Sequence, residues 1–207
     1  MVVIACYGIG RRHHPAVDGI EVRALREADV EQATALADEY VPDPPLSASL
    51  AERAGLAIVA VTGAGRVVGV CFGSVRGDAA GIAGIAVEHS FAGAGIGSRL
   101  LGRFELDARA AGASTISVGS APGYVEHFYA KNGFLPTNYY LRTLSTLAPS
   151  TENGLELLRG REGDRDRVLN VRPLSGCSDA EKDRVRALFE ASEIATIFGK
   201  ELADDLG

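Results

Sequence analysis

The chain has 207 residues, of which 46% are apolar and 23% are charged, and its formal net charge is −6. This length fits one domain of ordinary size, or one domain with an appendage, and it can bury a sizeable core. The acidic balance argues against a nucleic-acid-binding protein, which would normally present a basic patch. No apolar run approaches the roughly 20 residues that a membrane-spanning helix needs.

The cysteines and the first residues bear on cellular location. Cys6, Cys71 and Cys177 form no spaced pair and are expected to be reduced thiols. The opening MVVIACYGIGRRHHP has its basic residues after a short apolar stretch, which is the wrong order for a secretory signal. The adjacent His13 and His14 lack carboxylate or cysteine partners for a metal. We therefore expect a cytoplasmic protein without metal, membrane or nucleic-acid partners.

The first elements in chain order are a strand and two helices. Apolar and polar residues alternate over 20–25, which predicts a half-buried strand. Helical spacing follows, with Asp29 as the expected N-cap, and the prolines of VPDPP at 41–45 end this helix. Residues 46–55 are expected to form a short second helix.

A hairpin and a crossover come next. Residues 56–61 and 66–76 are predicted to be strands joined by the turn TGAG. A strand over 79–87, a glycine-rich turn and an amphipathic helix follow. The apolar residues of that helix fall on one stripe; they are Ile96, Leu100, Leu101, Phe104 and Ala108.

The unit is completed by a strand over 114–120, a helix over 123–132 that Gly133 caps, and a strand over 134–145. The element order predicts a mixed α/β fold with antiparallel strands first and a crossover through the glycine turn. Residues 1–19 are expected to be an N-terminal extension, and 20–145 to be the main domain.

The remaining chain is predicted to be a linker over 146–153 and a strand-hairpin and helix extension over 154–207. The helix carries a capping box from Ser178 to Glu181. This extension could cover an acceptor site, extend the sheet or pair two subunits as a homodimer. VRPLSGCSDAEKDRVRALFEA also resembles VRALREADVEQATALADEY, either by chance or as the remnant of a duplication.

The glycine turn has the features of an anion site. A strand that leads through glycines into a helix N-terminus brings free N–H groups together, and the helix dipole favours negative charge. Gly93, Gly95 and Gly97 would let the N–H groups of residues 93–98 wrap a diphosphate. The turn is neither a P-loop nor G-x-G-x-x-G, since Ser98 stands where the last glycine belongs.

This arrangement resembles the GNAT family of N-acetyltransferases. AGAGIG at 92–97 is similar to the family's acyl-CoA motif Arg/Gln-x-x-Gly-x-Gly/Ala, and HFYAKNGF at 127–134 is similar to its FYxxxGF segment. The resemblance covers about 20–145 and implies a mixed, mostly antiparallel central sheet flanked by helices. Ala92 replaces the usual Arg or Gln, and Pro122 stands where the family often has an asparagine.

The resemblance implies acetyl-CoA as co-substrate and assigns roles to particular residues. The pantetheine arm would lie along Ile85, Ala86 and Val87, with the Val87 N–H as oxyanion donor. Tyr129 would be the general acid that protonates the departing thiolate. The remaining expected cofactor-binding residues form the turn and first helical residues: Ala92, Gly93, Ala94, Gly95, Ile96, Gly97 and Ser98.

The general base is not identified by the sequence. Many relatives carry a glutamate where this chain has Gly81. The alternatives are a base acting through water, an amine that arrives neutral, or one of four nearby side chains, namely Glu88, His89, Glu126 and His127.

The resemblance implies that the acceptor pocket lies near 38–47, which contains Asp38, Glu39 and Asp43, and that Tyr139 or Tyr140 faces that loop. These acidic residues could attract a cationic amine or simply form a solvated surface. The tyrosines could equally be aromatic cross-strand pairs.

Three functions are therefore compared. The leading hypothesis is transfer of an acetyl group from acetyl-CoA to a primary amine of a small molecule or protein, by direct attack. The alternative is a non-catalytic acyl-CoA-binding module that regulates a partner protein. A dinucleotide-binding domain is disfavoured by the element order and by the absent final glycine.

Overall fold

The computed structural model describes residues 19–40, 56–120, 124–163 and 166–202. The predicted second helix at 46–55, the histidine pair at 13–14, Asp43 and Pro122 lie outside these residues. The chain forms two compact units. The first extends to Val118 and includes the chain from Lys200, and the second spans Gly119–Gly199.

The first unit is a mostly antiparallel sheet with two helices. In chain order its elements are β1 (Glu21–Ala24), α1 (Val30–Tyr40), β2 (Leu56–Val61), β3 (Val67–Arg76), β4 (Ala79–Val87), α2 (Ile96–Ala110) and β5 (Thr115–Ser120), which ends in the second unit. Its strands lie in the order β1-β2-β3-β4-β5, antiparallel except for the parallel pair β4–β5.

The helices of the first unit pack on opposite faces of β3, because side chains alternate along a strand. The α1 residues Ala33 and Leu36 join a core cluster with Val70 and Phe72. On the other face Leu100 and Phe104 of α2 lie where side chains at Gly69 and Gly73 would be. The apolar stripe predicted for α2 is confirmed, since all five of its residues are fully buried.

Asp29 is not the N-cap that the sequence predicted. A 3-10 turn at Glu27–Asp29 precedes α1, and the Asp29 carboxylate accepts the backbone N–H of Arg26 at 2.8 Å. Asp29 is the last residue of the 3-10 turn, and its carboxylate caps the start of that turn at Arg26. Arg23 of β1 binds the same carboxylate at 2.5 and 3.0 Å.

The second unit is also antiparallel. Its elements are α3 (Tyr124–Lys131), β6 (Leu135–Thr143), β7 (Leu155–Glu162), β8 (Arg167–Pro173), α4 (Asp179–Leu188) and β9 (Glu193–Glu201), whose last residues belong to the first unit. Its sheet order is β9-β6-β8-β7, so that β8 and β9 flank β6 and residues 144–192 form an excursion between two paired strands.

The predicted β7–β8 hairpin and the helix after Ser178 are confirmed, whereas β9 was not predicted. The Ser178 hydroxyl accepts the N–H of Glu181 at 3.2 Å. The Glu181 carboxylate binds Arg184 instead of completing the capping box. The predicted domain limits stay a prediction.

The internal similarity does not extend to strand pairing. β1 pairs directly with β2, which follows α1, whereas β8 and β9 on either side of α4 are both antiparallel to β6 and hence parallel to each other. The described chain is thus a mixed α/β protein with mostly antiparallel strands flanked by helices, as predicted. None of the described helices is long and apolar enough to cross a membrane.

Candidate active site

The last residues of β4 run beyond the paired part of β5. Parallel pairs extend from Ala79–Thr115 to Ile82–Val118, whereas β4 continues to Val87. The register against β3 shifts at Ala83, where one residue of β4 is inserted. Such a bulge bends a strand and increases its twist. The pairing of β4 with β5 thus ends at Ile82, before the bulge and before Ile85.

The backbone of Val87 is directed away from β3. The N–H of Glu88, the next residue, donates to the Val68 carbonyl on β3 at 2.9 Å. Successive residues of a strand direct their N–H and C=O groups to opposite edges. The Val87 N–H consequently points to the edge at which β5 pairs only with the earlier residues Ala79–Ile82.

The glycine turn leaves the N-terminus of α2 open. Gly93 and Gly95 have φ values of 81° and 80°. Gly95 is the N-cap of α2, and no side chain among the described residues caps the helix there. The N–H of Arg99 bonds the Gly95 carbonyl at 3.1 Å. The N–H groups of the first three helical residues precede that bond, so they lack intrahelical acceptors; these residues are Ile96, Gly97 and Ser98.

This open end is accessible and suited to an anion. Gly93 and Gly95 are exposed, and a methyl group built on Gly95 would meet nothing within 4 Å. Bare backbone therefore faces solvent at the end of the helix where the dipole favours negative charge. The donors and the free space fit the phosphates of a nucleotide cofactor such as CoA.

Side chains beside the turn form a small network. The Arg66 guanidinium donates to Glu88 at 2.8 Å and lies 5.5 Å from the centre of the Phe91 ring. The Ser90 hydroxyl also donates to Glu88, at 2.5 Å. Of the base candidates in this region, Glu88 is thus held by two partners and His89 is exposed. Arg66 was not singled out from the sequence.

Tyr129 belongs to the second unit and is fully buried, with 0% of its surface exposed. Its ring lies 5.4 Å from Phe128, 5.7 Å from Phe134 and 5.6 Å from Phe198. Gly133, at φ 83°, ends α3, and the Phe134 N–H returns to the Tyr129 carbonyl at 3.1 Å. The FYxxxGF-like segment therefore forms a capped helix end around an aromatic cluster.

Two further base candidates lie on α3. His127 is exposed, whereas Glu126 accepts hydrogen bonds from Lys182 at 2.6 Å and from Thr196 at 3.0 Å. The Lys182 side chain is only 8% exposed. Neither Lys182 nor Thr196 was predicted from the sequence to belong to the site. A signal was present, since Lys182 occupies a buried position of the amphipathic helix α4, three residues before Val185.

A cavity of about 70 Å³ lies beside this ion pair in the second unit. Tyr139 lines it and is buried, with its hydroxyl donating to the Ser178 carbonyl at 2.7 Å and accepting the Ser178 N–H at 3.0 Å. Burial raises the pKa of both Tyr139 and Cys177, so both are held in their neutral forms. Tyr140 is half-buried.

The expected acceptor region is described only in part. Asp38 and Glu39 are exposed at the end of α1. Among the described residues, no group of three histidine, cysteine or acidic side chains is placed to hold a metal ion. The first unit thus brings Val87 and the glycine turn together in one β4–α2 connection, while Tyr129, Glu126 and Tyr139 belong to the second unit.

Residues 53–136 match the family model of the acetyltransferase (GNAT) domain. The fold is similar to that of Ard1 from Thermoplasma volcanium, at 20% identity and a TM-score of 0.53, covering 75% of this chain and 98% of that one. The ribosomal-protein-S18-alanine N-acetyltransferase from Escherichia coli is 18% identical, with a TM-score of 0.51 and coverages of 77% and 97%.

A third similar structure is the IAA acetyltransferase from Bacillus cereus, at 23% identity and a TM-score of 0.50, covering 75% of this chain and 99% of that one. No curated protein sequence matches this chain significantly.

Proposed function

Because residues 53–136 match the model of the acetyltransferase (GNAT) domain, we propose that the chain transfers an acetyl group from acetyl-CoA to a primary amine by direct attack. The observation that carries the proposal is the uncapped, solvent-facing N-terminus of α2, reached directly from β4 through Gly93 and Gly95. The acceptor is the amine of a small molecule or a protein.

In this proposal the pyrophosphate of CoA is bound by backbone N–H groups of the turn and the first turn of α2. Backbone donors and the helix dipole supply the recognition, so the absence of a long side chain at Ala92 is tolerated. The Ser98 hydroxyl adds a further donor. The cradle is made of Ala92, Gly93, Ala94, Gly95, Ile96, Gly97 and Ser98.

The pantetheine arm lies along the backbone of Ile85, Ala86 and Val87, past the paired part of β5. The Val87 N–H, directed away from β3, donates to the thioester oxygen as negative charge develops there. A preorganised donor of this kind typically contributes about 10²–10³ in rate.

The chemical step forms a bond between the acceptor nitrogen and the acetyl carbonyl carbon and breaks the bond between that carbon and the CoA sulfur. Tyr129 donates its phenolic proton to the departing thiolate. The acceptor nitrogen loses its proton to a base, for which Glu88, His89, Glu126, His127 and a water-mediated path all remain candidates. The phenol then regains a proton from solvent.

The first test is calorimetric titration with acetyl-CoA, CoA and NAD. We expect micromolar binding of both CoA species and none of NAD. Thiol release in the presence of a panel of small amines and peptides then tests transfer. If neither CoA species binds, the glycine turn is only structural and the transferase proposal fails.

Tyr129→Phe tests the general acid separately. Turnover should fall by about 10²-fold while the Kd for acetyl-CoA is unchanged, since only proton donation is lost. Unchanged turnover would remove Tyr129 from the mechanism and leave acetyl-CoA binding intact.

A non-catalytic acyl-CoA-binding module is the second candidate. Ala92 and Gly81 favour it, since these positions lack side chains that many relatives carry. Binding of acetyl-CoA without transfer to any amine of the panel, followed by capture of a partner protein only in its presence, would favour this candidate.

We also propose that the protein is cytoplasmic and forms a homodimer. Cys71 and Cys177 are free thiols, as expected in a reducing compartment. The outer strand β7 exposes Leu157 and Leu158, which a second copy would cover. Sedimentation of the purified protein should give twice the mass of the chain, and a single-chain mass would contradict the dimer.

A further inference from the structure

We propose that Lys182 is a positioning residue for acetyl transfer, because its buried ion pair with Glu126 sets the placement of α3 and thereby of Tyr129. This inference rests on the proposed function of Tyr129. The three elements concerned, α3, α4 and β9, contribute the relevant residues within the second unit.

The ion pair joins three elements at one carboxylate oxygen. Glu126 Oε1 accepts from Lys182 Nζ of α4 at 2.6 Å and from Thr196 Oγ1 of β9 at 3.0 Å. Only 8% of the Lys182 side chain and 25% of the Glu126 side chain are exposed. Both charges are largely removed from water, so the geometry of the pair is tightly constrained.

Tyr129 lies on the same face of α3 as Glu126, because residues three apart on a helix are neighbours. Its ring packs 5.6 Å from Phe198 of β9. Thr196 and Phe198 also share one face of β9, since strand side chains alternate. The helix is thus attached to the same face of β9 by two contacts, the hydrogen bond from Thr196 to Glu126 and the aromatic contact of Tyr129 with Phe198, and the Lys182 cation holds the same carboxylate from α4.

Stability alone does not account for this arrangement. Burying an ammonium is costly, and replacing a buried pair by apolar side chains of similar size is often neutral or stabilising. An aromatic contact permits small rotations of a helix, whereas a short charged hydrogen bond has a narrow range of distance and angle. The pair therefore restricts the rotation of α3 in a way that the aromatic cluster does not.

The positioning role of Lys182 gives residues 144–192, the excursion between β6 and β9, a part in the proposed reaction. Lys182 is one of three lysines in the chain, and it is carried by the helix that this excursion adds. Besides packing Val185 into the core, α4 delivers a buried cation to the Glu126 carboxylate. A displacement of the phenol by about 1 Å suffices to reduce turnover substantially.

The test uses Lys182→Met, which keeps most of the length of the side chain and removes its charge. We expect kcat to fall about tenfold with the Kd for acetyl-CoA within twofold of the wild type. Lys182→Arg, which keeps a cation, should recover most of the turnover. The matched control is Arg186→Met on the same helix, whose side chain is 46% exposed; it should leave kcat unchanged.

A Tyr129→Phe background separates positioning from general structural damage. If Lys182 acts through Tyr129, adding Lys182→Met to Tyr129→Phe should lower kcat no further. An equal loss in both backgrounds would overturn the inference. If Lys182→Met does not fold, as judged by circular dichroism, Lys182→Gln, which keeps a polar end group without the charge, takes its place and the same comparison is made.

A second measurement is independent of activity. In protein labelled with 3-fluorotyrosine, the Tyr129 signal in ¹⁹F NMR is assigned by its loss in Tyr129→Phe. It should shift or broaden in Lys182→Met and stay in place in Arg186→Met. An unmoved Tyr129 signal in Lys182→Met overturns the inference. If the signal moves but Tyr129→Phe keeps wild-type turnover, the proposed role of Tyr129 as general acid is wrong, and the effect of Lys182 on the Tyr129 ring is not.

Discussion

Gly93, Gly95 and Gly97 are alternate in the sequence, yet their backbone conformations differ. Gly93 and Gly95 have positive φ values, whereas Gly97 does not and lies in the first turn of α2. Two of the glycines are needed for conformation, since other residues pay a steric cost in the left-handed region. For Gly97 we propose a different reason, namely the close approach that a bare backbone would offer to the CoA phosphates.

Replacing Gly95 by alanine tests the value of this conformation. Gly95→Ala should lower the free energy of unfolding by about 1–2 kcal/mol, because the methyl group has space but the φ of 80° is unfavourable. Acetyl-CoA binding should weaken as the turn relaxes. Urea denaturation and calorimetry measure the two effects.

Gly102→Ala is the matched control on the exposed side of α2, where nothing lies within 4 Å. It should raise the free energy of unfolding by about 0.5–1 kcal/mol, since alanine favours the helix. A Gly95→Ala variant as stable as Gly102→Ala would show that the left-handed conformation is not required.

Asp29 gives a pH-dependent prediction. The hydrogen bond from Arg23 holds its pKa below the usual value in the folded protein. The pair therefore stabilises the fold fully at neutral pH, and the stabilisation is lost as the pH falls through the lowered pKa. Asp29→Asn should lower the free energy of unfolding by about 2–4 kcal/mol at pH 7, because Arg23 loses its buried partner.

The difference in the free energy of unfolding between wild type and Asp29→Asn should become smaller below about pH 4, as measured by denaturation at a series of pH values. Glu21→Gln is the control, because Glu21 also approaches Arg23, at 3.5 Å, but its side chain is 64% exposed. It should change stability by less than about 0.5 kcal/mol. A pH-independent effect of Asp29→Asn would contradict the assigned ion pair.

Elements with a clear period were predicted well. The strands β2 to β5 and the helices α1 to α3 agree with the sequence within a few residues at their ends, because alternating or helical apolar patterns mark the buried face. β9 was missed, although Ile194, Thr196 and Phe198 alternate along it. It follows α4 closely, and its glycine, lysine and glutamates are poor strand formers.

Because β3, β4 and α2 pack closely, alanine is expected to have different effects on stability at the neighbouring positions Gly73 and Gly81. A methyl group on Gly73 would lie 2.0 Å from the Gly81 carbonyl oxygen and 2.9 Å from the Phe104 ring. Since that oxygen belongs to the backbone of β4, the strands would have to move. Gly73→Ala should cost at least about 3 kcal/mol of unfolding free energy or prevent folding.

Gly81→Ala places the same methyl group on β4, where nothing lies within 4 Å. Its unfolding free energy should stay within about 1 kcal/mol of the wild type. Parallel urea titrations measure the free energies of unfolding of Gly73→Ala and Gly81→Ala. Equal stability of the two variants would mean that β3 and β4 are less tightly packed than described.

At the scale of the whole molecule, ligand binding connects the site to stability. A ligand that binds only the folded chain stabilises it by mass action. Acetyl-CoA at 100 times its Kd should add about 2.7 kcal/mol and raise the Tm by about 5–10 °C. Differential scanning fluorimetry measures this, with NAD as control. An unchanged Tm would contradict binding at the glycine turn.

The sequence by itself determined the fold class, most elements, the glycine turn and the resemblance to the GNAT acetyltransferases, since each depends on local periodicity or on motifs with fixed spacing. The tertiary structure decided the ion pairs of Asp29 and Glu126, the bulge at Ala83 and the place of β9. These features depend on contacts between residues far apart in the chain, as Thr196 and Glu126 are. Periodicity records which face of an element is buried, but it does not record which distant side chain meets it there.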